Sequence, residues 1–407
     1  MVHVHYKEPD LNKPLFCPNQ TCPYHDRNHA AQAHWYHRFG VFQTKTRGPI
    51  LRFRCRSCGK TCSTQTFSTA YWTHSRWDLE HLEQQLTSAS GLRQIARMNN
   101  CSYRVVRNRI QRLARQVLFL FAHALNSLPI TEDAAFDGFE SFIRSQYFPT
   151  NINILVGSDS QAVYGVNLVV MRRKGRMTAI QKKNRAIIDQ AWKPPRRALE
   201  YSTRWFFEDM QGLVRRGIVL RSPWTLHSDE KREYPRALSK VPFFSEALSR
   251  GMVLHHRTSS RKKRTRANPL FPVNYLDRLL RKDMGEHVRE TVKQGREVNC
   301  AMDRLIIKLA RHTFFKPHRI SNRVDTAGEA THASVAGMDR SEIVRNRREW
   351  LYTHRQVYSH LPEPRLEWIR MIWQRAYENP PIVDLKSGEV RTKGQPKEAW
   401  FPVHLTA

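Results

Sequence analysis

Ala134-Ala-Phe-Asp-Gly-Phe-Glu-Ser-Phe-Ile143 reads as a β-strand with one carboxylate, Asp137, set in an apolar and aromatic run. Working outward, Ile152-Asn-Ile-Leu-Val-Gly-Ser-Asp-Ser160 reads as a second strand and Gly165-Val-Asn-Leu-Val-Val-Met171 as a third. Residues 172–195 are polar and basic and read as a loop. Residues 197–216 carry Leu199, Trp205, Phe206, Met210 and Leu213 at helical spacing, an amphipathic helix. Ile218-Val-Leu220, leading into Trp224-Thr-Leu-His-Ser-Asp229, reads as a fourth strand that ends on a second acid. Met252-Val-Leu-His-His256 is a fifth, and residues 269–311 are mostly helical.

Three meandering strands, a helix, two strands and a long helix match the order of an RNase H-like α/β domain. The chain has 36 acidic residues against 68 Lys and Arg, so acids at two strand positions are informative. For either one alone, a turn residue or a salt-bridge partner is the ordinary alternative.

The N-terminal region has a different texture. Five of the seven cysteines fall in the first 62 residues, and an odd total in a long chain argues against a disulfide framework. Cys17-Pro-Asn-Gln-Thr-Cys22 and Cys55-Arg-Ser-Cys58 are two tight turns whose four thiolates suit a closed, tetrahedral zinc site. Aromatic-rich runs at residues 34–42 and 50–54 read as the strands of a zinc ribbon, a unit too small to hold a core without a metal. Cys62 is a spare that could replace one ligand but reads first as a small buried apolar residue, and His25 and His29 leave a mixed ligand set open.

From residue 78 the pattern turns helical. Leu79, Leu82 and Leu86 share a face, followed by Gly91-Leu-Arg-Gln-Ile-Ala-Arg-Met98, a polar turn, and an Arg-rich helix from Tyr103 with Ser102 as its N-cap. Short helix, tight turn and basic helix form a helix-turn-helix arrangement, with Arg104, Arg107, Arg109 and Arg112 as candidate DNA contacts. An ordinary basic helical hairpin is the alternative. Residues 117–128 continue as an apolar helix that could connect domains or dimerise.

The net charge of +32 calls for a polyanion, and duplex DNA or RNA is the natural partner. Arg261, Lys262, Lys263 and Arg264 precede the last long helix and are candidate phosphate contacts. No apolar run approaches a membrane span, and the polar start is unlike a signal peptide, so the chain reads as cytoplasmic and nucleoid-associated when bound to DNA. Carboxylates on neighbouring strand ends suit Mg²⁺ or Mn²⁺, hard cations that promote phosphodiester chemistry.

Several stretches then carry a resemblance by their order. They are Phe53-Arg-Cys-Arg-Ser-Cys-Gly-Lys-Thr-Cys-Ser63, Thr66-Phe-Ser-Thr-Ala-Tyr71, the helical pair, Phe136-Asp-Gly-Phe-Glu140, His227-Ser-Asp-Glu230 with Tyr234, and Asn274-Tyr-Leu-Asp-Arg278. Over roughly residues 15–315 the chain resembles insertion-sequence transposases of the acidic-triad class that carry an N-terminal zinc ribbon and helix-turn-helix. The resemblance implies a transposase that binds the terminal repeats of its element, cleaves a strand and joins it to target DNA, working as a homodimer or higher on DNA. It implies Asp137 and Asp229 as the first two catalytic, metal-binding carboxylates. The third, usually Glu after an Asn three residues earlier, carries over to Asp277, with Glu290, Asp283 and Asp303 as rivals. Arg278 and Arg281 would steady phosphates.

The expected organisation is multidomain α+β. A zinc ribbon spans 1–75, a helix-turn-helix 76–128, an RNase H-like catalytic domain 129–320, and a linker with a helical C-terminal extension 321–407. Within that extension, residues 341–378 look helical, with Trp350, Leu351, Trp368, Ile369 and Trp373. A DNA-binding regulator with a non-catalytic domain and a structure-selective nuclease are the competing readings.

Overall fold

A computed structural model describes residues 13–75, 77–126, 128–259, 261–288, 293, 295–319, 330–338, 348–361 and 380–391. The fold is mixed α+β. The N-terminal part contains α1 (Arg27–Ala31) and an antiparallel sheet of β1 (Tyr36–Thr44), β2 (Gly48–Cys55) and β3 (Thr61–Ser63). Three helices follow: α2 (Leu79–Leu86), α3 (Leu92–Met98) and α4 (Tyr103–Asn126).

The central sheet comprises β4 (Ala134–Phe142), β5 (Pro149–Gly157), β6 (Val163–Val170), then α5 (Ala179–Ala191) and α6 (Ala198–Leu220), β7 (Trp224–Ser228), α7 (Glu233–Leu238), α8 (Pro242–Ser249) and β8 (Val253–Arg257). Its strand order is β6-β5-β4-β7-β8. The first three strands form an antiparallel meander, while β7 runs parallel to β4 and β8 parallel to β7. The chain continues through α9 (Phe271–Asp283), α10 (Val298–Ala310), a π-turn at Arg311–Phe315 and α11 (His332–Val335) to a small hairpin of β9 (Ile382–Val383) and β10 (Val390–Arg391).

The two-residue period of β4 sends its side chains to opposite sides. Phe136 packs against Phe206 and Phe207 of α6, with ring centroids 5.1 and 4.9 Å away. Phe139 lies on the other side, under the Arg281 guanidinium of α9 at 4.6 Å. Asp137 has the parity of Phe139, so it points to the α9 side. Where α6 crosses Ile130, Gly217 is required: a Cβ there would sit 1.9 Å from the Ile130 carbonyl oxygen.

Several expectations are corrected. Residues 172–195 contain α5, started by a capping box in which Thr178 caps and Gln181 reaches back. Ile218–Leu220 is the last turn of α6, where Val219 and Leu220 are exposed, and the strand begins only at Trp224. The Arg-rich helix and the apolar residues after it form one helix, α4. Its apolar half packs on α10 and the π-turn, with Phe121 4.8 Å from Phe314, so it is core and not a dimerisation face. One continuous cluster of buried residues runs from Leu79 to Leu361, so the expected boundary near residue 128 separates no cores.

The linker expected at 321–341 contains α11, and only 330–338 of it is described. In the helical region expected at 341–378, residues 348–361 form a π-turn and a 3₁₀ turn. Trp368, Ile369 and Trp373 lie outside the described residues.

Two glycines of α6 give a paired test. Gly217→Ala is expected to destabilise by roughly 1–3 kcal/mol through overpacking. Gly212→Ala, with nothing within 4 Å of the new Cβ, is expected to stabilise by about 0.5–1 kcal/mol. Thermal melts of both variants check the signs; equal shifts would contradict the contact at Ile130.

Candidate functional site

Cys17, Cys22, Cys55 and Cys58 bring four Sγ atoms within 4.8 Å of one another. Cys17 Sγ is 3.5 Å from Cys58 Sγ, and Cys22 Sγ is 3.8 Å from Cys55 Sγ. Tetrahedral bonds of about 2.3 Å would separate sulfurs by about 3.8 Å, so the set could hold a metal ion such as zinc. The Cys58 thiol, although raised by burial, is brought down to about 7, chiefly by the Lys60 backbone.

His25 is not aimed at this cluster. Its Nδ1 lies 2.8 Å from the Cys17 carbonyl oxygen and its Nε2 2.8 Å from Ser359 Oγ. His29 is exposed beside Tyr24. Cys62 is buried outside the cluster, its thiol pushed up to about 12 by burial and by Cys55. The C-terminal segment closes over this unit. The Thr69 N–H donates to the Thr353 carbonyl at 3.0 Å, and Arg355 N–H to that of Phe67 at 2.7 Å.

The second constellation lies midway along β4, beside the C-terminal end of β7. Their parallel register pairs Phe136 with Ser228, so Asp137 and Asp229 occupy the next position on each strand. Neighbouring strands are about 4.8 Å apart, which brings the two carboxylates close. The chain then turns, and the Lys231 N–H donates to Asp229 Oδ1 at 2.9 Å. Lys231 Nζ stands 3.4 Å from Asp137 Oδ1 and 3.6 Å from Asp229 Oδ2. Tyr234 of α7 directs its hydroxyl at Asp137 Oδ1, 3.3 Å away.

α9 adds Asp277 from above this face. Its Oδ1 is sealed from solvent and has no hydrogen-bond partner. Burial first, and the Asp137 charge second, push its carboxyl up to about 8. The same two causes raise Asp229, against the pull of Lys231. Burial would lower the Lys231 ammonium, but Asp137 and Asp229 together raise it. The site is therefore an acidic cluster with a lysine ammonium bridging two of its members. Among the described residues, the cysteine set is the one group of three or more possible ligands within 4.8 Å, so the three carboxylates stand further apart than that.

The rival acids sit elsewhere. Asp283 is ion-paired with Lys308 of α10 at 2.5 Å. Asp303 is buried on α10, within the fields of Arg115 and Arg107 of α4. Glu290 lies outside the described residues.

The α4 arginines divide by face. Arg104 is exposed, while Arg107 is ion-paired with Glu297. Arg109 is buried and donates to Ser75 Oγ at 3.0 Å; Arg112 donates to the Tyr71 carbonyl at 2.7 Å. The expectation that Arg109 and Arg112 contact DNA is thus corrected, because both clamp the loop before α2. Arg261, Lys262, Lys263 and Arg264 are exposed between β8 and α9, and Arg264 is close enough to lower the Asp277 carboxyl. Arg278 lies over Tyr275 at 5.5 Å, and Arg281 donates to the His287 carbonyl at 3.0 Å. Sequence reasoning gave Lys231 no role; an Asp-x-Lys step just past a strand is the signal that points to it.

Metal content tests the thiolate cluster. The full chain, purified without chelator, is expected to retain about one zinc per molecule, a closed four-thiolate site. Cys55→Ser should reduce this to a small fraction, while Cys62→Ser should leave it unchanged. Equal zinc in all three proteins would contradict the ligand set.

No protein-family model matches this chain, and no curated protein is similar to it.

Proposed function

We propose that the protein is a DNA transposase of the acidic-triad class, acting on double-stranded DNA. The observation that carries this reading is the β4–β7 register, which sets Asp137 beside Asp229, with the unpartnered Asp277 carboxyl brought in by α9. The strand order, with α6 on one face and α9 on the other, agrees with an RNase H-like catalytic domain. The sheet β1–β3 with its cysteine cluster supports a zinc ribbon whose metal is structural. The α3–turn–α4 step supports a helix-turn-helix that presents Arg104. Among the described residues no helix is long and apolar enough to cross a membrane.

In this reading Asp137, Asp229 and Asp277 hold Mg²⁺ or Mn²⁺. Carboxylate oxygens suit such a hard cation, and the three, which do not all lie within 4.8 Å of one another, would have to draw together around it. When bound, the ions polarise the phosphate and favour the attacking oxygen. Lys231 occupies the gap between two of the carboxylates, so it must swing aside and is then placed to meet a phosphate oxygen. The exposed Arg261–Lys263 stretch and Arg264 hold the backbone by charge. Water attacks phosphorus and the 3′ oxygen leaves with a proton; that hydroxyl then attacks a target phosphorus and displaces the target strand's own 3′ oxygen, which takes up the proton, so the strand is transferred. A homodimer or larger assembly would pair the two element ends.

The Lys231 bridge also favours a second reading, a DNA-binding regulator whose acidic cluster is neutralised by its own lysine. Asp137→Ala separates the two. Strand cleavage on cognate ends with Mn²⁺ is expected to fall by roughly a thousandfold or more while DNA binding is kept. An unmutated protein that binds but never cleaves would leave the regulator, and cleavage without joining would leave a nuclease.

A further inference from the structure

A groove of about 380 Å³ runs between the β1–β2 hairpin and the loop before α2. Phe42, Arg47 and Arg52 contribute from the hairpin, and Tyr71, Trp72 and His74 from the loop. Its volume is that of an ordinary small-ligand site.

Trp72 is the unusual member. It is 78 % exposed, and its backbone is left-handed at φ 56. A bulky residue rarely adopts that conformation, and it persists only where the surroundings enforce it. Here they do. Arg112 donates to the carbonyls of Thr69 and Tyr71, Arg109 to that of Ser75, and the Arg355 guanidinium lies 4.6 Å over the Tyr71 ring. Thr73 Oγ1 donates to the Ala70 carbonyl at 2.7 Å and accepts from Arg47. A rigid loop thus holds a large aromatic face out in water, at the mouth of a groove.

The chemistry around it selects the occupant. Between Tyr36 and Ser75 there are seven Lys and Arg and not one Asp or Glu. Phe39 is 40 % exposed, with the guanidinium groups of Arg52 and Arg54 5.2 and 5.4 Å from its ring. Acid-free positive charge interleaved with exposed aromatic faces fits a strand of nucleic acid, phosphates on the arginines and bases on the rings. A second copy of a chain with net charge +32 would be repelled by this surface. Stacking on Trp72 also requires an open base face, which a paired and stacked duplex does not offer.

We infer that this groove binds an unpaired nucleotide of the DNA substrate, its base stacked on Trp72 and its phosphates held by Arg52 and its neighbours. The inference rests on the reading of the chain as a DNA-acting enzyme. It adds that the DNA is recognised where it is single-stranded or frayed, and that the N-terminal unit does so.

Fluorescence anisotropy with the full-length, zinc-loaded protein tests this. Two labelled probes are compared, a blunt duplex and the same duplex with a single-stranded tail. The unmutated protein is expected to prefer the tailed probe. Trp72→Ala should weaken binding to the tailed probe by about tenfold, the effect of losing one base–aromatic stack, and leave the blunt duplex unchanged. Trp72→Phe should keep most of the affinity. Arg52→Ala should weaken both probes and flatten the salt dependence by about one phosphate contact. Equal loss on both probes with Trp72→Ala, no loss on the tailed probe, or no preference in the unmutated protein overturns the inference. A change confined to sedimentation behaviour would make the face a contact between copies and also overturns it. Absence of DNA binding by the unmutated protein would instead remove the transposase reading itself.

Discussion

The parallel pairing of β4 with β7 is the constraint on which the rest of the molecule turns. A parallel neighbour demands a crossover, supplied by α5 and α6. Once α6 covers one face through Phe206 and Phe207, the other face is left for α9. The same pairing brings Asp137 and Asp229 together, and α9 then adds a third acid where water is excluded. Burial first, and the nearby Asp137 charge second, raise the carboxyls of Asp229 and Asp277. Lys231 relieves part of this strain from within the chain, because the turn after β7 returns it over both strand ends. The charge of Asp137 and Asp229 is thus met here by the Lys231 ammonium.

Some arginines are turned inward as donors. Arg109 and Arg112 donate to backbone carbonyls of the loop before α2, and Arg216 to those of Leu125 and Leu128. Burial lowers the pKa of all three, yet they stay in place as multi-pronged donors to carbonyls that lack helix or sheet partners. Guanidinium groups thus act as staples between segments that share few apolar contacts.

The strands of the large sheet are legible in the sequence because their apolar runs are short and bounded by turn residues. Asp137 and Asp229 stand out in it for the same reason. Cysteine spacing is equally readable, since ligand geometry acts locally. What is hidden depends on partners remote in sequence. α5 reads as a loop because its composition is polar, although the Thr178–Gln181 capping box marks its start. Ile218-Val-Leu220 has strand propensity, but helix α6 runs through it and overrides that preference. Nothing in the α4 period distinguishes an arginine facing solvent from one facing the loop at residues 69–75. Only the position of that loop decides it, and that position is set partly by residues 353–355, nearly three hundred residues away.

Asp277 shows how tertiary placement sets the surroundings of a short side chain. Here Val273, Leu276 and Leu280 of α9 are fully buried, and Arg281 reaches past the helix to the Glu140 carbonyl on β4. That anchoring presses α9 onto β4 and β5 and seals Asp277 Oδ1 within the charge field of Asp137. Asp283 is instead paired with Lys308 of α10, while Asp303, its two oxygens also buried without a hydrogen-bond partner, lies in the fields of Arg115 and Arg107 of α4. The surroundings of Asp277 thus follow from which face of α9 the sheet has captured.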